Sequence, residues 1–134
     1  MRRLDGLIHS AGFLLNAPMA AMDPRAMANI LEAKAGGAII LTSLLDKFKL
    51  EPSHFIINSS FASLHSSPGQ SVYAATNSLC DALIQRRRAE GKVGTTLNWA
   101  NWLEVSLLDD KMDELKNCEF FAPFILKGLN IIIC

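Results

Sequence analysis

The sequence predicts an α/β fold, an open parallel sheet flanked by helices, and three observations predict it. Three short apolar stretches, residues 4–9, 54–58 and 95–99, read as buried strands. Two longer stretches of helical periodicity, residues 23–48 and 72–90, separate them, and strands that alternate with helices of this length belong to parallel βαβ units. Small and hydroxyl-bearing residues collect just past the first two strands, in Ser10-Ala11-Gly12 and in residues 59–70, on the side where open parallel sheets meet their ligands.

Each element has its own signal. The strand at 4–9 ends in Ser10-Ala11-Gly12, small residues that let backbone come close to a ligand. A loop with Asn16 and Pro18 follows, and Asp23-Pro24 then supplies an N-cap and a first-turn proline for a helix over 23–48. Its apolar stripe runs through Met27, Ile30, Leu31, Ala38, Leu41, Leu45 and Phe48, with Lys34 on the stripe and Lys47 and Lys49 at the helix end. Gly36-Gly37 in its middle costs roughly 1 kcal/mol each against alanine, so close packing of a neighbour is expected there. After the strand at 54–58 and its hydroxyl-rich loop, a helix over 72–90 draws its core side from Val72, Ala75, Leu79, Ala82 and Leu83, and Gly91 ends it. Arg86-Arg87-Arg88 reads as a solvated terminus that complements the helix dipole. Thr95–Trp99 is the last strand.

Composition excludes several function classes. Half the residues are hydrophobic and the formal charge is zero, so nothing favours nucleic acid, a polyanion or an anionic membrane surface. Three widely spaced cysteines without a CxxC pair argue against a disulfide framework or a zinc site and suit a reducing cytosol. His9, His54 and His65 lack ligand spacing, so no metal is expected. No signal peptide precedes residue 4, and no apolar run approaches the roughly 20 residues that span a bilayer.

The candidate chemistry lies around Ser60 and Tyr73. Tyr73 and Asn77 are one helical turn apart and share a face, which Ser60 can reach from the strand end. A serine can hold a carbonyl oxygen while a tyrosine gives up its proton as negative charge develops. A free phenol, with a pKa of about 10, needs help, and a nearby ammonium provides it. Lys34 is the candidate.

These residues, with Ser59-Ser60-Phe61-Ala62-Ser63, Pro68-Gly69-Gln70, Tyr73-Ala74-Ala75-Thr76-Asn77 and Leu97-Asn98-Trp99-Ala100-Asn101-Trp102, resemble the catalytic half of a ketoreductase domain from polyketide or fatty-acid synthases, a short-chain dehydrogenase/reductase fold. The resemblance implies a partial Rossmann-like parallel sheet whose amino-terminal half is missing, with a partial catalytic domain over 1–105 and a divergent segment over 106–134. It implies NADPH-dependent reduction of a 3-oxoacyl group on an acyl carrier protein in the cytoplasm, with the remaining synthase modules or the missing half as partners. By resemblance Ser60, Tyr73, Asn77 and Lys34 are catalytic, and Ala11, Gly12, Lys34, Tyr73, Asn98 and Trp99 border the cofactor.

The sequence also departs from that pattern. The glycine-rich turn that cradles the pyrophosphate is absent from these 134 residues, and so is a basic residue for the 2′-phosphate. Cys118 through Cys134 has no counterpart in the family pattern. Leu14-Leu15-Asn16 stands where one ketoreductase class carries Leu-Asp-Asp, and His65 where the other carries tryptophan. The competing expectation is a non-catalytic half-domain that packs against a complete reductase or a synthase module.

Overall fold

The computed structural model describes residues 4–100. Asn101, Trp102, Cys118, Cys134 and the segment over 106–134 lie outside them.

Three strands, β1 (Gly6–His9), β2 (His54–Ser60) and β3 (Thr95–Trp99), form one sheet in the order β1-β2-β3, parallel throughout. Between β1 and β2 run the helical segments α1 (Pro24–Leu31) and α2 (Gly37–Lys47), joined by a π turn over Glu32–Gly36. Helix α3 (Ser71–Ala89) returns the chain from β2 to β3. The α/β expectation holds. Each strand-to-strand passage carries a helix because a parallel neighbour can be reached only by a crossover.

Register sorts the side chains onto two faces. Leu7 pairs with Phe55, His9 with Ile57, Ile57 with Thr96, and Ser59 with Asn98, so these residues share the side on which the helices lie. There Phe55 and Ile57 pack with Ala38, Leu45, Cys80 and Ile84 as the main core. A smaller cluster of Met22, Ile30 and Val72 joins α1 to the first turn of α3, which holds the Tyr73 end of that helix in place. On the opposite side Ile8 is 64 % exposed, whereas in doubly wound sheets both faces are covered.

Several expectations about faces are corrected. In the first helix Ile30, Ala38 and Leu45 are buried as the stripe predicts, but Leu31 and Phe48 are exposed. Phe48 already lies past the helix end, at the C-cap, and turns out to solvent before Lys49 takes a positive φ of 51°. In α3 the buried line is Val72, Thr76, Asn77, Cys80, Ile84 and Arg87, while Ala75, Leu79 and Ala82 face outward. Of the predicted core side, Val72 is buried and Leu83 packs against the main core, but apolarity misses the polar groups this helix buries: Thr76 Oγ1 donates to Val72 O at 2.8 Å, while Asn77 and Arg87 find partners outside the helix.

Arg87 departs furthest from its expected solvated role. It is 2 % exposed, donates from Nε to Val93 O, faces Asp46 and Glu51 at 3.5 and 3.4 Å, and lies 5.4 Å from the Phe55 ring centroid. Only Arg86 and Arg88 of the run are exposed.

The glycine pair divides too. A Cβ on Gly37 would sit 2.8 Å from His9 Cε1, so close packing does compensate there; one on Gly36 would meet nothing nearer than 3.7 Å. The helical stretch Pro24–Lys47 is, by length and a window hydropathy of 1.3, apolar enough to cross a membrane, which counting uninterrupted apolar runs overlooks. Its window is 28% buried, with Ala38 and Leu45 in the main core and Lys34 bonded within the protein.

Candidate functional site

Strand β2 extends two residues beyond its predicted end and delivers Ser59 and Ser60 at its carboxyl terminus. Alternation then sends them apart: Ser59 is buried toward the helices, and Ser60 turns to the other side. Ser60 caps the short turn Phe61–Ser63, its Oγ accepting from Ala62 N at 3.1 Å. The loop beyond is tied to the loop after β1 by Ala17 N donating to Gly69 O at 3.0 Å, and Gly69 needs its glycine for a φ of 80°.

Lys34 and Asn77 meet across the two helices. Lys34 Nζ donates to Asn77 Oδ1 at 2.7 Å, and Asn77 Nδ2 donates to Tyr73 O at 2.8 Å. The ammonium stands 5.4 Å from the Tyr73 ring centroid. Asn77 is fully buried and Lys34 nearly so, while Tyr73 stays half-buried. Burial pushes the Lys34 ammonium below its ordinary range, and the charges of Cys80 and Asp81 pull it back in part. The structure therefore brings together Lys34, Tyr73 and Asn77, residues up to 43 apart in sequence.

The residues past β1 and β3 take different places. Ala11 and Gly12 are exposed, and a Cβ on Gly12 would lie 3.2 Å from Lys34 Cε, so the glycine makes room for the lysine stem. Asn98 is 2 % exposed and its amide points inward. Nδ2 lies within 3.5 Å of four acceptors but carries only two hydrogens, so the short contacts dominate: Ser63 Oγ at 2.7 Å and Asp81 Oδ2 at 2.8 Å. Trp99 is half-buried and donates from Nε1 to Asn58 Oδ1 at 3.0 Å, while Asn58 Nδ2 donates to Ser10 Oγ at 2.6 Å.

Sequence reading gave no role to the side chains of Ser59, Ser63 and Asp81, and His9 entered it only through the resemblance, as the first residue of a His-x-Ala-Gly segment expected beside the cofactor's nicotinamide ribose. His9 holds the Lys34 backbone carbonyl, Asp81 and Ser63 hold Asn98, and Ser59 lies 3.5 Å from Asn77 O. Only His9 left a trace, in the paired glycines that a large neighbouring group would require. Cys80 is a buried free thiol, pushed up to about 11 by burial. No cluster of metal-binding side chains occurs among the described residues.

Tyr73 and Lys34 set a phenol beside an ammonium, donors that can stabilise an oxygen on which negative charge develops, while Ser60 lies on the other side of its strand, capping the turn that follows.

The family model described as KR domain matches residues 1–104. The chain is 36% identical over 114 residues, 85% of its length, to "Polyketide synthase GfsA" of Streptomyces halstedii, and 39% identical over 99 residues, 74% of its length, to "Pikromycin polyketide synthase component PikAIII" of Streptomyces venezuelae. It spans 2% of the first and 6% of the second. Among solved structures it superposes on the "Structure of A-type Ketoreductases from Modular Polyketide Synthase" with TM-score 0.73 and 32% identity, covering 83% of this chain and 23% of that one.

Proposed function

Because this chain belongs to the KR domain family, we propose that it supplies the catalytic half of an NADPH-dependent ketoreductase. As part of a larger cytoplasmic chain, it would reduce a 3-oxoacyl thioester on an acyl carrier protein to the 3-hydroxyacyl form during polyketide synthesis. The observation that carries this reading is the linkage of Lys34 through Asn77 to the Tyr73 turn of α3, with the ammonium against the phenol ring.

NADPH, when bound, supplies the hydride that adds to the carbonyl carbon. Ala11, Gly12 and Trp99, with Lys34 and Tyr73, would hold its nicotinamide end, and Asn98 would support that wall from behind through Ser63 and Asp81. Ser60 Oγ orients the carbonyl oxygen, and Tyr73 delivers its proton to that oxygen as the C–O double bond becomes single. The Lys34 ammonium stabilises the phenolate left behind, and Asn77 keeps it there. A proton from solvent then restores Tyr73, with Asn77 completing the relay.

A second reading, a non-catalytic half-domain that packs on a reductase or synthase module, draws support from the uncovered sheet face around Ile8. One experiment separates them: join the chain to a cofactor-binding half and follow NADPH oxidation with a 3-oxoacyl thioester. Turnover that depends on this chain supports catalysis; a folded, cofactor-binding assembly without turnover supports the structural role.

A further inference from the structure

We propose that His9 is the positioning residue of the lysine: it holds the Lys34 backbone so that Nζ reaches Asn77, a role that rests on the catalytic reading of Lys34. His9 ends β1 and is 6 % exposed. Its Nε2–H donates to Lys34 O at 2.8 Å, which places the ring proton on Nε2. Strand and helix are thus joined at the residue whose side chain faces the phenol.

Two irregularities of the helix meet at this ring. Lys34 is the middle residue of the π turn Glu32–Gly36, where hydrogen bonds close over five residues instead of four and the backbone departs from the regular α-ladder. Gly37, which follows, leaves the space the imidazole fills, since a Cβ there would fall 2.8 Å from Cε1. Neither irregularity helps the helix by itself. Both are accounted for by a ring that must approach the Lys34 carbonyl.

The geometric consequence is large. A regular α-helix through 32–36 would turn the residues on one side of the inserted residue by roughly 100° about the axis. Lys34 Nζ would leave Asn77 and the Tyr73 ring. From the same end of β1, Gly12 lies against the lysine stem, with only 3.2 Å between its Cβ position and Lys34 Cε. The segment from His9 to Gly12 therefore grips the lysine at its carbonyl and its stem, and leaves only the ammonium to Asn77.

The test uses the complete 134-residue chain with 15N-labelled lysine. The side-chain ammonium signal of Lys34 is assigned by its disappearance in Lys34→Met, and its hydrogen-exchange rate is measured. His9→Phe keeps a ring against Gly37 without a donor, and His9→Asn keeps an amide too short to reach the carbonyl. Both should speed exchange by roughly 3- to 10-fold, the size of one net hydrogen bond. His9→Gln, whose amide nitrogen reaches as far as Nε2, should restore the wild-type rate. Unchanged exchange in the Phe or Asn variant, or a folded Gln variant that exchanges as fast as they do, overturns the proposal. If the completed reductase turns over equally well with Tyr73→Phe while these exchange rates follow the pattern, the catalytic reading fails and the positioning of Lys34 stands.

Discussion

Lys34 donates to Asn77, a neutral partner, at 2.7 Å, and both side chains are buried. A carboxylate in that place would cancel the ammonium's field at short range; an amide oxygen satisfies one of its donors and leaves the charge intact for Tyr73. The arrangement costs stability, because the charge is desolvated and the nearby Asp81 offsets that only in part.

That cost has a pH signature. Folding lowers the Lys34 pKa beneath its ordinary 10.5, so the folded protein releases the proton before the unfolded chain does. Between the lowered value and 10.5 the unfolded state binds more protons, and stability rises with pH; below that window the penalty is fully present. Urea unfolding of the wild type and Lys34→Met across this window should show the wild type gaining on the variant as pH rises. A difference that stays flat would show that burial does not tax this lysine.

Asn77→Leu should destabilise the fold by about 1.5–3 kcal/mol, since it leaves a buried ammonium without its acceptor. Combined with Lys34→Met, which removes that ammonium, the loss should be smaller than the sum of the two by about 0.5–3 kcal/mol. Additive losses in chemical denaturation would mean the bond carries no coupling.

Tyr73→Phe removes one hydroxyl from a half-buried ring and should leave thermal unfolding nearly unchanged. In a reductase completed with a cofactor-binding half, ketone reduction should fall by at least about 10²-fold, as expected on losing a general acid. Retained turnover would remove Tyr73 from the mechanism.

The two glycines of the first helix should respond with opposite signs. Gly36→Ala meets only ordinary contacts and should stabilise by up to about 1 kcal/mol through helix propensity. Gly37→Ala presses on the His9 ring, which is buried and bonded through Nε2 to Lys34 O, and should destabilise by about 1–3 kcal/mol. Calorimetric unfolding of the pair decides it; equal effects would show that the imidazole gives way.

Within the arginine run, Arg87→Ala should cost about 2 kcal/mol or more, because Val93 O loses a charged donor and Phe55 its cover. Arg88→Ala, at an exposed position, should stay within about 0.5 kcal/mol. Denaturant midpoints that coincide for the two variants would return Arg87 to the solvated role its neighbours have.

The strands, the order of strand and helix, and the pairing of Tyr73 with Asn77 were legible in the sequence because each depends on spacing within one element. Period two and period 3.6 are properties of the local backbone, and Thr95–Trp99 needed nothing else to be placed. What α3 buries was not legible, because Thr76, Asn77 and Arg87 go inside only where Val72 O, Lys34 and Val93 O wait for them. The same holds for Asn98, whose sequence neighbourhood suggests an open cofactor wall and whose amide is taken by Asp81 and Ser63. His9 bonds a carbonyl 25 residues away, and the π turn it meets has no sequence signature of its own. Chain-local physics determined which elements form; which polar groups they bury, and which lysine atom faces the phenol, was decided only when packing brought distant donors and acceptors within 3 Å of each other.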